Sequence, residues 1–225
     1  MPKAERDQLL AFDSTCYWKP GGTEYYENTA RKWSLGPDTL WVLQVHHSGA
    51  ASAYFTEVAV HVYTSRKGQW QKQLAFTSSR PDFVRDTVLD ANFDGQPDYI
   101  AQYYSGVGCC PRDAQSIYLN KGGQLNSTAV EVFNPCYDAE HQTILEMSYG
   151  RPPWIELSKS VWREEALLKV ESVGYVWPLE ETPDRDWEGG PFVIYNHLSD
   201  SETEVDRVPA PYRCLEYFNY FTALE

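Results

Sequence analysis

Residues 57–62 read Glu57-Val58-Ala59-Val60-His61-Val62. The three valines alternate with Glu57, Ala59 and His61. A two-residue period sends alternate side chains to opposite sides of an extended chain, so this is a strand with one buried face. Arg66-Lys67-Gly68 then turns the chain into Gln69–Phe76, which is a hairpin signal. Upstream, Trp41, Leu43 and Val45 alternate with Val42, Gln44 and His46 in the same way. Downstream, strands are expected at Tyr99–Tyr104, Gln115–Asn120, Thr143–Tyr149, Trp154–Ser160, Leu167–Trp177, Pro191–Asn196 and Arg213–Phe221. The turn Asn120-Lys121-Gly122-Gly123 follows the second of these.

Helical periodicity is weak, with candidates only near Gln8–Phe12 and around Glu164–Leu168. Pro178–Gly190 and Asp200–Pro211 are acidic and interrupted by proline or glycine, so both read as surface loops. The pattern predicts an all-β, antiparallel fold, β-propeller-like or sandwich-like, with few helices. A single β domain over residues 1–225 is expected, its last part (178–225) formed by acidic loops and a terminal strand.

The chain has 225 residues and a formal net charge of −13, from 32 acidic and 19 basic residues. That sign disfavours nucleic acid and anionic membranes, and favours cations and basic partner proteins. Aromatic residues make up 15% of the chain, which suits half-buried sheets and protein interfaces. No run is long and apolar enough for a transmembrane helix. The start, Met1-Pro2-Lys3-Ala4-Glu5-Arg6-Asp7, lacks the basic and apolar regions of a signal peptide. An exported protein would have lost its signal from this sequence.

Five cysteines are present: Cys16, Cys109, Cys110, Cys136 and Cys214. None forms a CxxC pair, so their spread suits disulfides in an oxidising compartment and not a zinc site. Cys16 with Cys214, and Cys136 with Cys109 or Cys110, are the expected pairings.

The chemistry concentrates in Asp90-Ala91-Asn92-Phe93-Asp94-Gly95-Gln96-Pro97-Asp98. Counting Asp90 as position 1, oxygen-bearing side chains fall at positions 1, 3, 5 and 9, with glycine at position 6. Calcium takes six to eight hard oxygen donors, and a tightly wound loop converges alternate residues on one point. Glycine permits the sharp turn. The expected calcium ligands are Asp90, Asn92, Asp94 and Asp98, with the main-chain carbonyl of Gln96. An EF-hand would place a bidentate Glu at position 12, where this chain has Ala101. The loop therefore joins two strands, and its affinity should approach the ~10⁻⁴–10⁻³ M of extracellular modules.

Tyr104-Ser105-Gly106-Val107-Gly108-Cys109-Cys110-Pro111-Arg112-Asp113 leaves the strand after that loop. Its small residues allow close backbone approach to another surface. Tyr104, Ser105, Gly106, Val107, Gly108, Arg112 and Asp113 are the candidate partner-binding residues. Enzymatic activity is not expected: GxSxG, HExxH and phosphate-loop patterns are absent. His46 and His47 point to opposite faces of a strand and cannot readily share a metal.

The run LDANFDGQPDYIAQYYSGVGCCPRD…IYLN resembles bacterial periplasmic and lipoprotein proteins with an NFDGxxD calcium loop, FG-GAP/VCBS-like and β-propeller-like. The resemblance covers residues 87–177, including Phe133-Asn134-Pro135, Tyr137-Asp138 and Trp162…Leu167. The group includes immunity proteins that inhibit secreted lysozyme-like effectors. The resemblance implies bound Ca²⁺, a periplasmic or extracytoplasmic location, and a precursor compatible with lipid anchoring. It also implies a protein partner, a basic secreted effector or peptidoglycan hydrolase, met by the loop Ser105–Asp113. A calcium-stabilised adhesion or carbohydrate-binding module is the alternative.

Overall fold

The computed structural model describes residues 14–18, 24–36, 39–50, 57–67, 69–78, 83–104, 113–149, 155–175 and 192–215. Side-chain surroundings are described for 59–65, 67, 69–77, 86–103, 113–148, 156–174 and 192–215. The strands, in chain order, are β1 (Ser14–Trp18), β2 (Glu24–Gly36), β3 (Thr39–Ala50), β4 (Glu57–Arg66), β5 (Gln69–Ser78) and β6 (Phe83–Leu89). Next come β7 (Asp98–Tyr104), β8 (Asp113–Tyr118), β9 (Asn120–Lys121), β10 (Gln124–Leu125), β11 (Val130–Phe133) and β12 (Cys136–Asp138). β13 (Thr143–Tyr149), β14 (Ile155–Arg163), β15 (Ala166–Tyr175), β16 (Phe192–Asn196) and β17 (Ser201–Val205) follow, then a 3₁₀ turn η1 (Ala210–Cys214). Every strand pairing with a defined register is antiparallel, and the described residues contain no α-helix. The all-β expectation holds.

The chain forms two compact units. The first takes the chain up to Asp90, then Gly95–Tyr103 and Tyr118–Ala129. Its five-stranded meander runs in the order β1-β2-β3-β4-β5. Val60 and Val62 of β4 oppose Val45 and Leu43 on one side, and Phe76 and Leu74 on the other. Val60, Val62 and Leu74 are buried, as the alternation demanded. Phe76 stacks on Tyr118 with ring centroids 5.4 Å apart, and Tyr118 meets Tyr99 at 5.9 Å. Offset ring pairs of this kind add directional stabilisation to the burial of large apolar surfaces.

The second unit takes Ala91–Asp94, Tyr104–Ile117 and the chain from Val130. β8 pairs with β11, and a six-stranded sheet runs β12-β13-β14-β15-β16-β17. The row Met147↔Leu157, Leu157↔Val173, Val173↔Ile194 places four apolar residues in register across four strands. With Leu145 and Phe192 they form one face, capped by Val208, Tyr212 and Leu215 from the C-terminal segment. Tyr212 is fully buried, and its hydroxyl donates to Glu171 Oε1 at 2.9 Å.

Four expectations change. Ser201–Val205 is a strand and not a loop. Its Glu202 and Glu204 alternate with Thr203 and Val205, and a sheet edge tolerates charge that a central strand does not. The helical turn expected around Glu164–Leu168 is a two-residue hairpin turn, Glu164-Glu165, between β14 and β15. The terminal strand expected from Arg213 begins as η1, because Pro209 and Pro211 remove the donors a ladder needs. Cys214 bonds to Cys136, replacing both expected pairings. The reason is packing: η1 lies on the core face whose edge strand β12 carries Cys136. Cys16 lies in β1 with its side chain undescribed, and Cys109, Cys110 and the segments 8–12 and 178–190 lie outside the described residues.

Candidate metal centre

Residues 90–97 leave β6 and enter β7 as a wound loop. Gly95 has φ +84°, and Phe93 has φ +63°. A left-handed aromatic residue is uncommon and marks a backbone held against its preference. The winding is stitched by side chains. Asp90 Oδ2 accepts from the Gly95 amide at 2.9 Å, spanning the turn from position 1 to position 6. Asn92 Oδ1 accepts from the Asp94 amide at 3.2 Å, and Asn92 Nδ2 donates to Asp94 Oδ2 at 3.0 Å. Within the second unit, Trp162 Nε1 donates to the Ala91 carbonyl at 2.9 Å, which ties the loop's start to β14.

The loop's other half is held within the first unit by the β9–β10 hairpin. Gly122 and Gly123, both at positive φ, make its two-residue turn. Asp98 is fully buried, and its Oδ1 accepts from the Asn120 amide at 2.8 Å. Asn120 is buried too, with Nδ2 donating to the Pro97 carbonyl at 3.0 Å. Its Oδ1 accepts from the Gly123 amide at 2.8 Å. Gln96 Oε1 accepts from the Gly122 amide at 3.1 Å.

Among the described residues, no three His, Cys, Asp or Glu side chains gather as a metal-holding group. The oxygen donors expected from the sequence are the side chains of Asp90, Asn92, Asp94 and Asp98 and the main-chain carbonyl of Gln96. That chemistry suits a hard, flexible cation such as Ca²⁺, and it suits zinc poorly. The donor types are those calcium takes, but the carboxylates of Asp90, Asp94 and Asp98 do not gather on one point.

The candidate partner-binding residues fare unequally. Tyr104 ends β7 with its side chain undescribed, and Ser105, Gly106, Val107, Gly108 and Arg112 lie outside the described residues. Asp113 opens β8 and is half-buried. Its amide donates to Asn134 Oδ1 at 2.9 Å, and its Oδ2 accepts from Gln115 Nε2 at 2.9 Å. Asn134 closes this clamp by donating from Nδ2 to the Met147 carbonyl at 2.8 Å.

Sequence reasoning missed Asn120, Trp162, Asn134 and the side chain of Gln96. Asn120 carried a usable signal as the first residue of an Asn-Lys-Gly-Gly turn. Nothing in the spacing of Trp162, 71 positions from Ala91, pointed to the loop.

The fold and loop define an all-β protein with an acidic strand-to-strand loop braced by a glycine hairpin. No protein-family model matches the chain, and no curated protein matches it. A solved Xanthomonas type IV secretion system related protein shows 11% identity and a TM-score of 0.37, over 88% of this chain and 96% of that one. Similarity of that size carries no argument about fold or function. Among the described residues, no helix is long and apolar enough to cross a membrane.

Proposed function

We propose that this protein binds Ca²⁺ at Asp90–Asp98 and acts as an extracytoplasmic immunity or inhibitor protein. Its target would be a secreted antibacterial effector, and a basic peptidoglycan hydrolase fits best. The observation that carries the calcium half is the wound loop itself. Asp90 and Asn92 each use a side-chain oxygen to accept from a backbone amide at positions 6 and 5, which holds the loop wound. Such pre-organisation lowers the ordering cost of binding. Calcium here is structural: no paired base accompanies the loop, and calcium is a weak activator of water compared with zinc.

The immunity half rests on the resemblance of residues 87–177 and on the net charge of −13. An acidic surface steers a basic partner and rejects nucleic acid. The Cys136–Cys214 disulfide suits an oxidising compartment. Co-purification with the effector encoded beside its gene, in millimolar calcium, tests the partner. Complex formation with loss of peptidoglycan cleavage supports the reading, and the absence of both overturns it. Glycan binding without effector neutralisation would favour the adhesion-module alternative.

A further inference from the structure

β17 is the last strand of the six-stranded sheet, and among the described residues only β16 pairs with it. One hydrogen bond nearby sets the phase of its backbone. The His197 amide donates to the Val170 carbonyl at 3.0 Å, which continues the register of β16 on β15. In an antiparallel ladder, successive residues turn their backbone groups to one neighbour and then to the other. The odd-numbered residues of β16 therefore serve β15, and Phe192, Ile194 and Asn196 serve β17. Their partners there are Val205, Thr203 and Ser201. Glu202 and Glu204 are left with N–H and C=O groups turned outward along the edge. Both residues are exposed. Both side chains lie on the face away from the core, because Val205, of the other parity, packs on it. Across residues 196–206, Asp200, Glu202, Glu204 and Asp206 carry negative charge, and no lysine or arginine offsets them.

We propose that the outer edge of β17 is a docking site for an extended basic segment of a partner protein, added antiparallel as a further strand. Strand addition draws affinity from main-chain hydrogen bonds and specificity from alternate side chains. Partner residues bonded to Glu202 and Glu204 stand directly opposite them, with Cα atoms about 5.5 Å apart. Lysine or arginine at both of those partner positions meets both carboxylates on one face. Opposite charges across strands stabilise a pairing, and like charges destabilise it. The same rule excludes a second copy of this chain. Antiparallel self-pairing matches outward-facing residues with outward-facing residues, and that parity is Asp200, Glu202, Glu204 and Asp206, so acid meets acid in every register. Charge on an edge guards against self-association. Here it leaves the edge open to a strand of the opposite sign. The site is independent of the calcium loop and of the hydrolase reading.

The test uses the whole chain and a short fluorescent peptide of alternating lysine and threonine, followed by anisotropy and by hydrogen exchange at single β17 amides. Two control peptides accompany it. One carries glutamate in place of lysine. The other is methylated on every lysine backbone nitrogen, which keeps the charge and removes the donors the edge needs. The lysine peptide should bind about 10-fold more tightly than either control, since two charge pairs or their hydrogen bonds are lost in each. Bound peptide should slow exchange at Glu202 and Glu204, and change Thr203 little, because that amide already serves β16. Glu202→Lys combined with Glu204→Lys should reverse the preference toward the glutamate peptide. If that variant fails to fold, the methylated peptide on wild type still decides. Equal binding of the methylated peptide, unchanged exchange at Glu202 and Glu204, or no binding of the lysine peptide overturns the site.

Discussion

At Gly95 the backbone stands at φ +84°, and a Cβ built there meets nothing within 4 Å. The objection to a side chain is therefore conformational, not steric crowding. Gly95→Ala should cost about 1–2 kcal/mol, and Gly95→Asn less, because asparagine tolerates the left-handed region. Denaturant midpoints of the two variants check this; equal losses would contradict it. Asp94 tests the ion. In wild type, calcium at about 100 times Kd adds about 2.7 kcal/mol, and Asp94→Ala should abolish the calcium-dependent rise in Tm. A calcium-insensitive wild-type melt removes the calcium site.

Glu146 is a half-buried carboxyl on β13, and its partial desolvation pushes its pKa up despite the Phe133 amide that donates to it. An acid raised in the folded state binds more protons folded than unfolded. Its effect is then to lower stability as pH rises from the unfolded value through the folded one, and the deficit persists at neutral pH. Glu146→Gln keeps an acceptor for the Phe133 amide. Its stability at pH 7 should equal or exceed that of wild type, with a flatter profile across the weakly acidic range. A pH profile parallel to wild type would refute the assignment.

At the scale of elements, η1 acts as a lid on the six-stranded sheet. Tyr212 is its anchor. Burial and the adjacent Glu171 carboxylate hold the phenol well above its ordinary pKa, so it remains a donor at all physiological pH. Tyr212→Phe removes a charge-assisted bond and should cost about 1.5–3 kcal/mol by chemical denaturation. The disulfide fixes the same lid to β12 and closes 78 positions of chain. Cys136→Ser with Cys214→Ser should lose on the order of 2–5 kcal/mol, with exchange rising first around η1. Unchanged protection there would show that apolar packing alone holds the segment.

At the scale of the whole molecule, the net charge of −13 governs encounter more than fold. Association with a basic effector should slow as salt rises and the Debye length shrinks from about 10 Å toward about 3 Å. Dissociation should change much less, since contact geometry sets it. Stopped-flow rates at several ionic strengths separate the two. An on-rate indifferent to salt would remove charge steering from the proposed function.

Much was legible in local pattern. The valines of β4, the Arg66-Lys67-Gly68 turn, the glycine pair of the β9–β10 hairpin and the spacing of Asp90, Asn92, Asp94 and Asp98 are short-range signals. Strand periodicity and turn conformation depend on neighbours within a few residues, so the sequence by itself determined an all-β antiparallel fold and a wound acidic loop. The partners of that loop were decided only in three dimensions. Asn120 reaches Asp98, Trp162 reaches Ala91, and Cys214 reaches Cys136 across 22, 71 and 78 positions. A buried polar group must find a partner when water is gone, but nothing in its own residue type names which one. Composition also misled at Ser201–Val205, where acidity suggested a loop. The tertiary structure made it a strand: it pairs along β16 as the sheet edge, with Val205 opposite Phe192 and packed on the core while Ser201–Glu204 stay exposed.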